Sequence, residues 1–326
     1  MTKVAVVILN YNGQKFLETF LQSVVNYSEN CKIIVADNAS TDNSIVFLAN
    51  TYPQIKLVQL PQNEGFAGGY NSALNQIEAE YYVLLNSDVE VTHNWIQPII
   101  DLMDSDKTIA ACQPKIRSYH QKTHFEYAGA AGGYIDWLGY PFCRGRVFDA
   151  YEEDLGQYND TKEVFWATGA CMFVRAEIFH KLGGFDAHFF AHMEEIDLCW
   201  RMKNAGNKVF YCSDSTVFHV GGGTLHKSNP RKTFLNYRNG LAMLYKNLPS
   251  NKLFITLLFR LVLDGISGIK LLLSGSLSDF LAIIKAHFAF YGLIPKLKRQ
   301  SPKTVSQIYQ KSIVWEHFVK KEKPKI

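Results

Sequence analysis

Three apolar runs in the first 90 residues each break off into a cluster of amides and acids. Val4–Leu9 gives way to Asn10-Tyr11-Asn12. The run at 33–36 gives way to Asp37-Asn38, followed by Ser40 and Asp42, and Tyr81–Leu85 to Asn86-Ser87-Asp88. These residue types have definite chemistry. A carboxylate such as Asp37 can accept a hydrogen bond from the N3–H of uracil or thymine, or from a ribose hydroxyl. Asp88, beside Asn86 and Glu90, offers the oxygen donors that Mg2+ and Mn2+ prefer. Each acid also has a plainer use. Asp42 before Asn43-Ser44 suits a helix N-cap, and an Asp placed like Asp88 suits a turn. The glycine-rich NEGFAGGYN at 63–71 suits either a phosphate at a helix N-terminus or a tight turn with close helix packing.

The elements that must position these groups alternate over the first 115 residues. β-rich apolar runs fall at 4–9, 32–36, 56–60, 81–86 and 109–112, with helically spaced stretches between them, such as Phe16, Phe20 and Val24. That alternation predicts a parallel sheet covered by helices on both faces, whose strands read as continuous apolar runs. Open sheets of this kind bind ligands outside the carboxyl ends of their strands, which is where Asn10, Asp37 and Asp88 fall. From 116 to 165 the periodicity is weak and Gly, Tyr and charge are frequent, which predicts a long loop or lid. Order resumes with a strand in WATGACMFVR, a helix over 194–204 and a strand at 208–211. Asp197 and Arg201, four apart, are expected to pair on the surface of that helix. His188 and His192 are also four apart but lack the glutamate of a zinc-binding HExxH helix.

Bulk properties limit the function further. The 326 residues are 47% hydrophobic and can bury a large core. The first apolar run is too short, and lacks a basic lead-in, for a secretory signal. Six cysteines without a CxxC pair point to reduced thiols in a cytosolic setting and exclude a zinc ribbon. GxGxxG is missing after the first run, and no GxxxxGK[ST] occurs, so neither a dinucleotide fold of the usual kind nor a P-loop is indicated. From Asn251 onward there are 13 Lys/Arg against 4 Asp/Glu, a net of +9; the preceding part carries 21 against 26, a net of −5. A basic tail on an acidic body points to an anionic partner for the tail. The acidic body opposes nucleic acid, and no recognition motif for one is present.

Taken in order, NYN, DNASTD, NEGFAGGYN, NSDVEV, FFAHMEEIDLCWR and FHVGGGT resemble the inverting family 2 glycosyltransferases of GT-A fold, in their bacterial rhamnosyltransferase-like branch. The resemblance spans residues 3 to 245. It implies an α/β GT-A fold, a Rossmann-like, mostly parallel sheet flanked by helices, followed here by a C-terminal helical extension. Residues 1–115 would form the nucleotide-sugar-binding half, 116–248 the acceptor-binding and catalytic half, and 249–326 a basic helical extension. Asn10, Tyr11 and Asp37 would hold the nucleotide base; Asn63, Gly65 and Asn71 would line the ribose–diphosphate wall. Asp88 stands for the last acid of the family's DxD element and would hold Mg2+ or Mn2+; the first acid of that element is Asn86 here. His219 matches a position that supplies a further metal ligand in some relatives; on sequence alone, a His there also suits a structural role. The family's EDxDLC reads Glu194-Glu195-Ile196-Asp197-Leu198-Cys199, so the general base would be Glu195, with Glu194 as the other candidate.

The function implied is inverting transfer of a sugar from a UDP- or dTDP-linked donor to a hydroxyl of a glycan or lipid-linked saccharide, in cell-surface polysaccharide assembly. A sugar-phosphate nucleotidyltransferase would need a GxGxR-type loop after the first strand, where this chain has NYNGQK. A binding module that keeps the fold without the chemistry remains open, because Asn86 and Glu195 both depart from the family pattern.

Residues 251–300 combine long apolar runs with interrupting charges. At 100° per residue, Arg260, Asp264, Ser267, Lys270 and Ser274 fall within an arc of roughly 120°. A second run, 280–294, is followed by Lys296, Lys298 and Arg299. The expectation is a pair of helices lying in the membrane interface, the basic cluster on anionic headgroups and the enzyme peripheral on the inner face of the cell membrane. The competing expectation is a helical hairpin packed on the body or on a second subunit of a homo-oligomer.

Overall fold

The computed structural model describes residues 2–221, 229–299, 303, 305–324 and 326. Gly222, Gly223 and Thr224 of the FHVGGGT motif lie outside the described residues. The strands are β1 (Thr2–Asn10), β2 (Lys32–Asp37), β3 (Lys56–Gln59), β4 (Ala79–Asn86), β5 (Val89–Val91), β6 (Ile109–Ser118), β7 (Gly133–Asp136), β8 (Pro141–Cys143), β9 (Arg146–Val147), β10 (Ala150–Tyr151), β11 (Lys162–Val164), β12 (Cys171–Arg175), β13 (Lys208–His219) and β14 (Ile308–Tyr309). The main helices are α1 (Gln14–Tyr27), α2 (Ser44–Thr51), α3 (Gly65–Leu74), α4 (Gln97–Ser105), α5 (Ala176–Lys181), α6 (Glu194–Asn204), α7 (Pro230–Asn247), α8 (Ser250–Leu273) and α9 (Leu277–Leu293).

A nine-stranded sheet runs β11-β13-β6-β12-β4-β1-β2-β3, with β5 also paired to β13. β3, β2, β1 and β4 are mutually parallel, and β12 lies antiparallel between β4 and β6. Apolar residues alternate across β1. Val4, Val6 and Ile8 pack with Leu17, Leu21 and Val24 of α1. Ala5 and Val7 pack on the other face with Ala67, Tyr70 and Leu74 of α3. Both faces being covered explains why these strands read as unbroken apolar runs. The registers Asn10↔Asp37 and Leu9↔Asn86 bring the three polar clusters to one edge of the sheet.

The stretch at 116–165 is not the long loop its weak periodicity suggests. β6 runs on to Ser118, and β7–β10 with β14 form a second, five-stranded sheet. Its strands are two to four residues long, too short to carry a period.

α8 and α9 form a hairpin that packs on the body through a polar stripe. The buried residues of α8 are Thr256, Arg260, Asp264 and Gly268, a single stripe at four-residue spacing. Arg260 donates to the carbonyl of Leu138 (3.1 Å), stacks on Tyr140 and lies 3.4 Å from Asp264. Asp264 also meets Tyr140 Oη (3.1 Å) and His287 of α9 (3.2 Å). The charges therefore face the body, and the outward face carries Phe254, Leu258, Val262, Ile266 and Leu273 of α8 and Leu281 and Phe288 of α9.

Candidate active site

The first wall of the crevice is built from the ends of β1 and β2. Asn10 is fully buried, and its Nδ2 donates to Asp37 Oδ2 (3.0 Å) and Ser40 Oγ (3.2 Å). Asp37 Oδ1 accepts from Ser40 N (2.8 Å), bracing the loop after β2. Asn12 Oδ1 accepts from Thr41 N (2.7 Å), so the loops after β1 and β2 are cross-linked. Asp42 serves two helices at once, accepting from Gln14 N at the start of α1 and from Ser44 N at the start of α2, both at 3.0 Å. Gly13 is required where these loops meet, since a Cβ there would lie 2.4 Å from Asn10 Oδ1. Tyr11 stands beside this wall with 40% of its surface exposed, a free aromatic face at the crevice rim.

The glycine-rich turn continues the wall, and its amides are all engaged. Asn38, which the sequence did not single out, ties it to the first wall: Nδ2 donates to Asn63 Oδ1 (3.2 Å) and the Gly65 carbonyl (2.9 Å). Glu64 N donates to Asn38 Oδ1 and Gly65 N to Asn63 Oδ1. Phe66 N and Ala67 N both donate to the Phe190 carbonyl (2.7 and 3.2 Å). The helix N-terminus thus holds protein, and of its two readings the tight turn with close packing is the observed one. Gly65 has φ +71° and a Cβ there would sit 2.5 Å from Phe190 O, so no other residue suits the position. Asn71 engages both backbone groups of Phe185, accepting from its N–H and donating to its carbonyl.

Asp88 and His219 meet at the next corner, 131 positions apart in the chain. β5 follows Asp88 directly and pairs with β13 in the register His219↔Val89. His219 Nε2 lies 3.2 Å from Asp88 Oδ1, and His219 Nδ1 lies 2.9 Å from Glu126 Oε2. All three side chains are buried. Burial alone would lower the imidazole pKa, but Asp88 and Glu126 on either side raise it to about 10; a cation bound at Nε2 would take the place of that nitrogen's proton. The two carboxyl groups answer in kind: burial opposes their ionisation, and the charge of His219 outweighs it and holds both below their ordinary values. Two donors bound side by side on one octahedral ion at about 2.1 Å lie about 3 Å apart. The Asp88–His219 spacing suits such an ion, and among the described residues no group of three or more His, Cys, Asp or Glu gathers round one. The remaining positions would fall to water or to oxygens of a ligand.

The third group is a pair of carboxyls at the start of α6. Glu194 is buried, Glu195 is mostly buried, and Glu194 Oε2, Glu195 Oε2 and His192 Nε2 have no hydrogen-bond partner among the described residues. Burial raises the Glu195 pKa to about 7 and, with the adjacent Glu195, raises Glu194 well above the carboxylate range. Burial and the nearby Lys232 charge lower His192 to about 4, leaving it neutral. A carboxyl poised near neutrality is suited to general base work. The loop before it is strained: Phe190, His192 and Met193 all have positive φ (64°, 69° and 73°). Such residues cost roughly 1–3 kcal/mol each. Asn239 of α7 holds the loop in place, its Nδ2 lying within 2.9 Å of the carbonyls of Phe189, Ala191 and His192.

One helix-spacing expectation fails here for a physical reason. Asp197 and Arg201 do pair (2.8 Å), but in the interior, where Lys246 and Asn247 of α7 also bind Asp197. His188 and His192 share no helix, in keeping with the missing HExxH glutamate: His188 lies within the single 3-10 turn Ala187–Phe189 and contacts Asp186, and His192 lies in the strained loop. Glu126 and Asn239 escaped sequence reasoning. Glu126 sits in the irregular stretch and reaches His219 only through the Arg117↔Phe125 bridge and the β6–β13 pairing.

Comparison with known proteins gives this geometry relatives. A family model described as "Glycosyl transferase family 2" matches residues 5–183, just over half of the chain. The chain is 26% identical over 230 residues to an N-acetylglucosaminyl-diphospho-decaprenol L-rhamnosyltransferase of Mycobacterium tuberculosis, covering 66% of this chain and 75% of that one. It is 24% identical over 229 residues to the rhamnosyltransferase WbbL of Escherichia coli (strain K12), covering 66% and 83%. Among solved structures, GalNAc-T7 with UDP, GalNAc and Mn2+ superposes with a TM-score of 0.60 at 18% identity, over 77% of this chain and 49% of that one. The mannosyltransferase PcManGT from Pyrobaculum calidifontis, in complex with GDP-Man and Mn2+, superposes with a TM-score of 0.53 at 14% identity, over 90% and 75%. The shared feature at these identities is the fold, a GT-A sheet flanked by helices.

Proposed function

The chain belongs to glycosyl transferase family 2 and is therefore a glycosyltransferase, and on that premise we propose that it transfers a sugar from a UDP- or dTDP-linked donor to a hydroxyl of a lipid-linked saccharide, with inversion. The observation that carries the reading is the division of labour among the carboxyls. Asp88 is held ionised beside His219, while Glu195 is raised to about 7. One end of the site suits a cation and a diphosphate; the other suits a proton acceptor. Residues 1–115 take the donor and 116–248 the acceptor and the base in this reading.

Asn10, Tyr11 and Asp37 would bind the base, and Asn63, Gly65 and Asn71 would shape the wall beside the ribose and diphosphate. Asp88 and His219 would hold Mg2+ or Mn2+, which when bound neutralises charge on the departing diphosphate. Glu195 would take the proton from the acceptor hydroxyl as its oxygen bonds to the anomeric carbon and the bond from that carbon to the diphosphate oxygen breaks. A base in this role contributes ~10²–10⁴-fold. Glu194, which burial keeps protonated, is the weaker candidate. The test is nucleoside diphosphate release from UDP- and dTDP-sugars with Mn2+, with the anomeric configuration of the product read by NMR. Binding without release would favour a non-catalytic module; pyrophosphate release would favour a nucleotidyltransferase.

The reading of the place of action rests on the exposed apolar face of the hairpin. Leu277–Lys296 is, among the described residues, one helical stretch long and apolar enough to cross a membrane, but its inner face packs on α7, with the Phe290 ring against Tyr245. An immersed outer face accounts better for the exposed side chains of both helices. Lys252, Lys270, Lys285, Lys296 and Lys298 are exposed around it, and Trp315, Tyr291 and Phe318 are exposed aromatics of the kind that sit at headgroup level. The proposed site of action is the inner face of the cell membrane, with α8 and α9 set into the lipid. Co-flotation of the full chain with anionic liposomes tests this. Phe254, Val262 and Ile266, changed together to Ser, should abolish flotation. A shift from dimer to monomer in the same variant, with the parent failing to float, would assign the face to a second subunit.

A further inference from the structure

Glu126 has a position that packing alone does not explain. It is buried, with 7% of its surface exposed, at the one point where its carboxylate meets the far side of His219. Its backbone fixes it on both sides: Glu126 N donates to the Ile116 carbonyl (3.2 Å), and the neighbouring Phe125 bridges to Arg117. Its side chain is fixed as well. Ala128 N donates to Oε2 (2.5 Å), and Gly221 approaches so closely that a Cβ there would lie 2.4 Å from Oε1. A carboxylate gripped in this way leaves the imidazole one orientation, with Nδ1 toward Glu126 and Nε2 toward Asp88.

We propose that Glu126 is a positioning residue for the cation site: it accepts the Nδ1–H of His219, fixes the ring and its tautomer, and thereby presents Nε2 as a ligand beside Asp88. The inference rests on the reading of His219 as a ligand. A carboxylate behind a metal-binding imidazole also raises the basicity of the ligating nitrogen, and loss of such a partner typically weakens metal binding 10–100-fold. Glu126 touches neither donor nor acceptor in this arrangement. Its removal should leave base recognition by Asn10 and Asp37 unchanged, because those residues end β1 and β2, whereas Glu126 lies in the segment after β6 and is bonded back to Ile116.

The test is the Mn2+ affinity of the full chain, read from loss of the free-ion EPR signal, with no nucleotide, with UDP and with dTDP in separate arms. Glu126→Leu removes the acceptor and should weaken Mn2+ 10–100-fold in every arm in which the parent binds. Glu126→Gln keeps a carbonyl acceptor without the charge and should fall between the two; it carries the test should the Leu variant melt early. Metal-free nucleotide affinity should stay within twofold for both. His219→Ala separates the two layers of the argument. Parent-like Mn2+ affinity in His219→Ala overturns the ligand reading itself. Loss in His219→Ala with parent-like affinity in both Glu126 variants overturns the positioning role and leaves the ligand reading standing.

Discussion

Replacing Glu195 with Gln removes one titrating proton from the start of α6 while keeping the side chain's length and shape. The consequence for stability follows from the raised pKa. In the folded protein the group is raised from 4.5 to about 7 by burial, so the fold prefers it protonated. A group raised in this way contributes stability that is fully present below about pH 4.5 and is lost as the pH rises through about 7. The size of the loss is about 3 kcal/mol at 1.36 kcal/mol for each tenfold change in proton affinity. That figure is an upper bound, because Glu195 keeps some contact with solvent. The Gln variant has no such penalty, so its stability relative to the parent should grow by up to about 3 kcal/mol between pH 4.5 and 8. Urea denaturation of both proteins at intervals across that range measures it. His192, lowered to about 4, and His219, raised to about 10, titrate in both proteins, so they cancel in the difference to first order. Transfer by the parent should rise through pH 7, whereas the variant should bind donor normally and transfer slowly at every pH. A stability difference that is flat in pH would refute the reasoning, since it would mean that Glu195 is ionised and satisfied in the fold. Loss of activity in Glu194→Gln but not in Glu195→Gln would move the base by one residue.

Asp88→Ala should abolish turnover and the metal dependence of donor binding; calorimetry with and without Mn2+ measures the latter, and unchanged metal dependence counts against the assignment. Asp37→Ala should weaken donor binding about 10- to 100-fold, the value of a hydrogen bond to a charged group, without altering the metal requirement. The same change strands Asn10 Nδ2 and Ser40 N, so a small fall in melting temperature should accompany it. Asp264→Ala leaves Arg260 buried beside Tyr140 without its carboxylate, which should destabilise the protein by about 3–5 kcal/mol. Arg260→Leu combined with Asp264→Leu should recover most of that loss in thermal melts.

The sheet was legible because each parallel strand is covered on both faces and ends in polar residues. Val4–Leu9 and Tyr81–Leu85 carry that signal in a few consecutive positions. The helix over 194–204 was read to its termini, since Glu194 and Glu195 open it and Ala205-Gly206 close it. Asp88 and His219 came from the family pattern, and the structure brings them to one corner. Glu126 could not be found in the same way. It lies 93 residues from His219, in a stretch of two- to four-residue strands, and its partner is set by β6–β13 pairing rather than by local spacing. The helical wheel of α8 gives a polar stripe but not what that stripe meets. Arg260 and Asp264 turn inward to Tyr140, His287 and the Leu138 carbonyl, partners invisible to a periodicity argument. The Asp197–Arg201 pair was misplaced for the same reason, its burial depending on Lys246 and Asn247 from another helix.

α7 joins two parts of the molecule that chemistry alone would keep separate. Its 18 residues make a rod about 27 Å long. Near its middle, Asn239 grips the strained turn that leads into Glu194, and Arg238 holds the carbonyls of His188 and Phe189. Its far end runs through Leu248 and Pro249 directly into α8, and α9 packs along its side. The rod therefore ties the hairpin directly to the turn at 190–193, and a displacement of the hairpin would reach the carboxyls without passing through the sheet. Hydrogen exchange at the amides of 190–193 should accordingly respond to whatever seats the hairpin, even with the donor crevice empty.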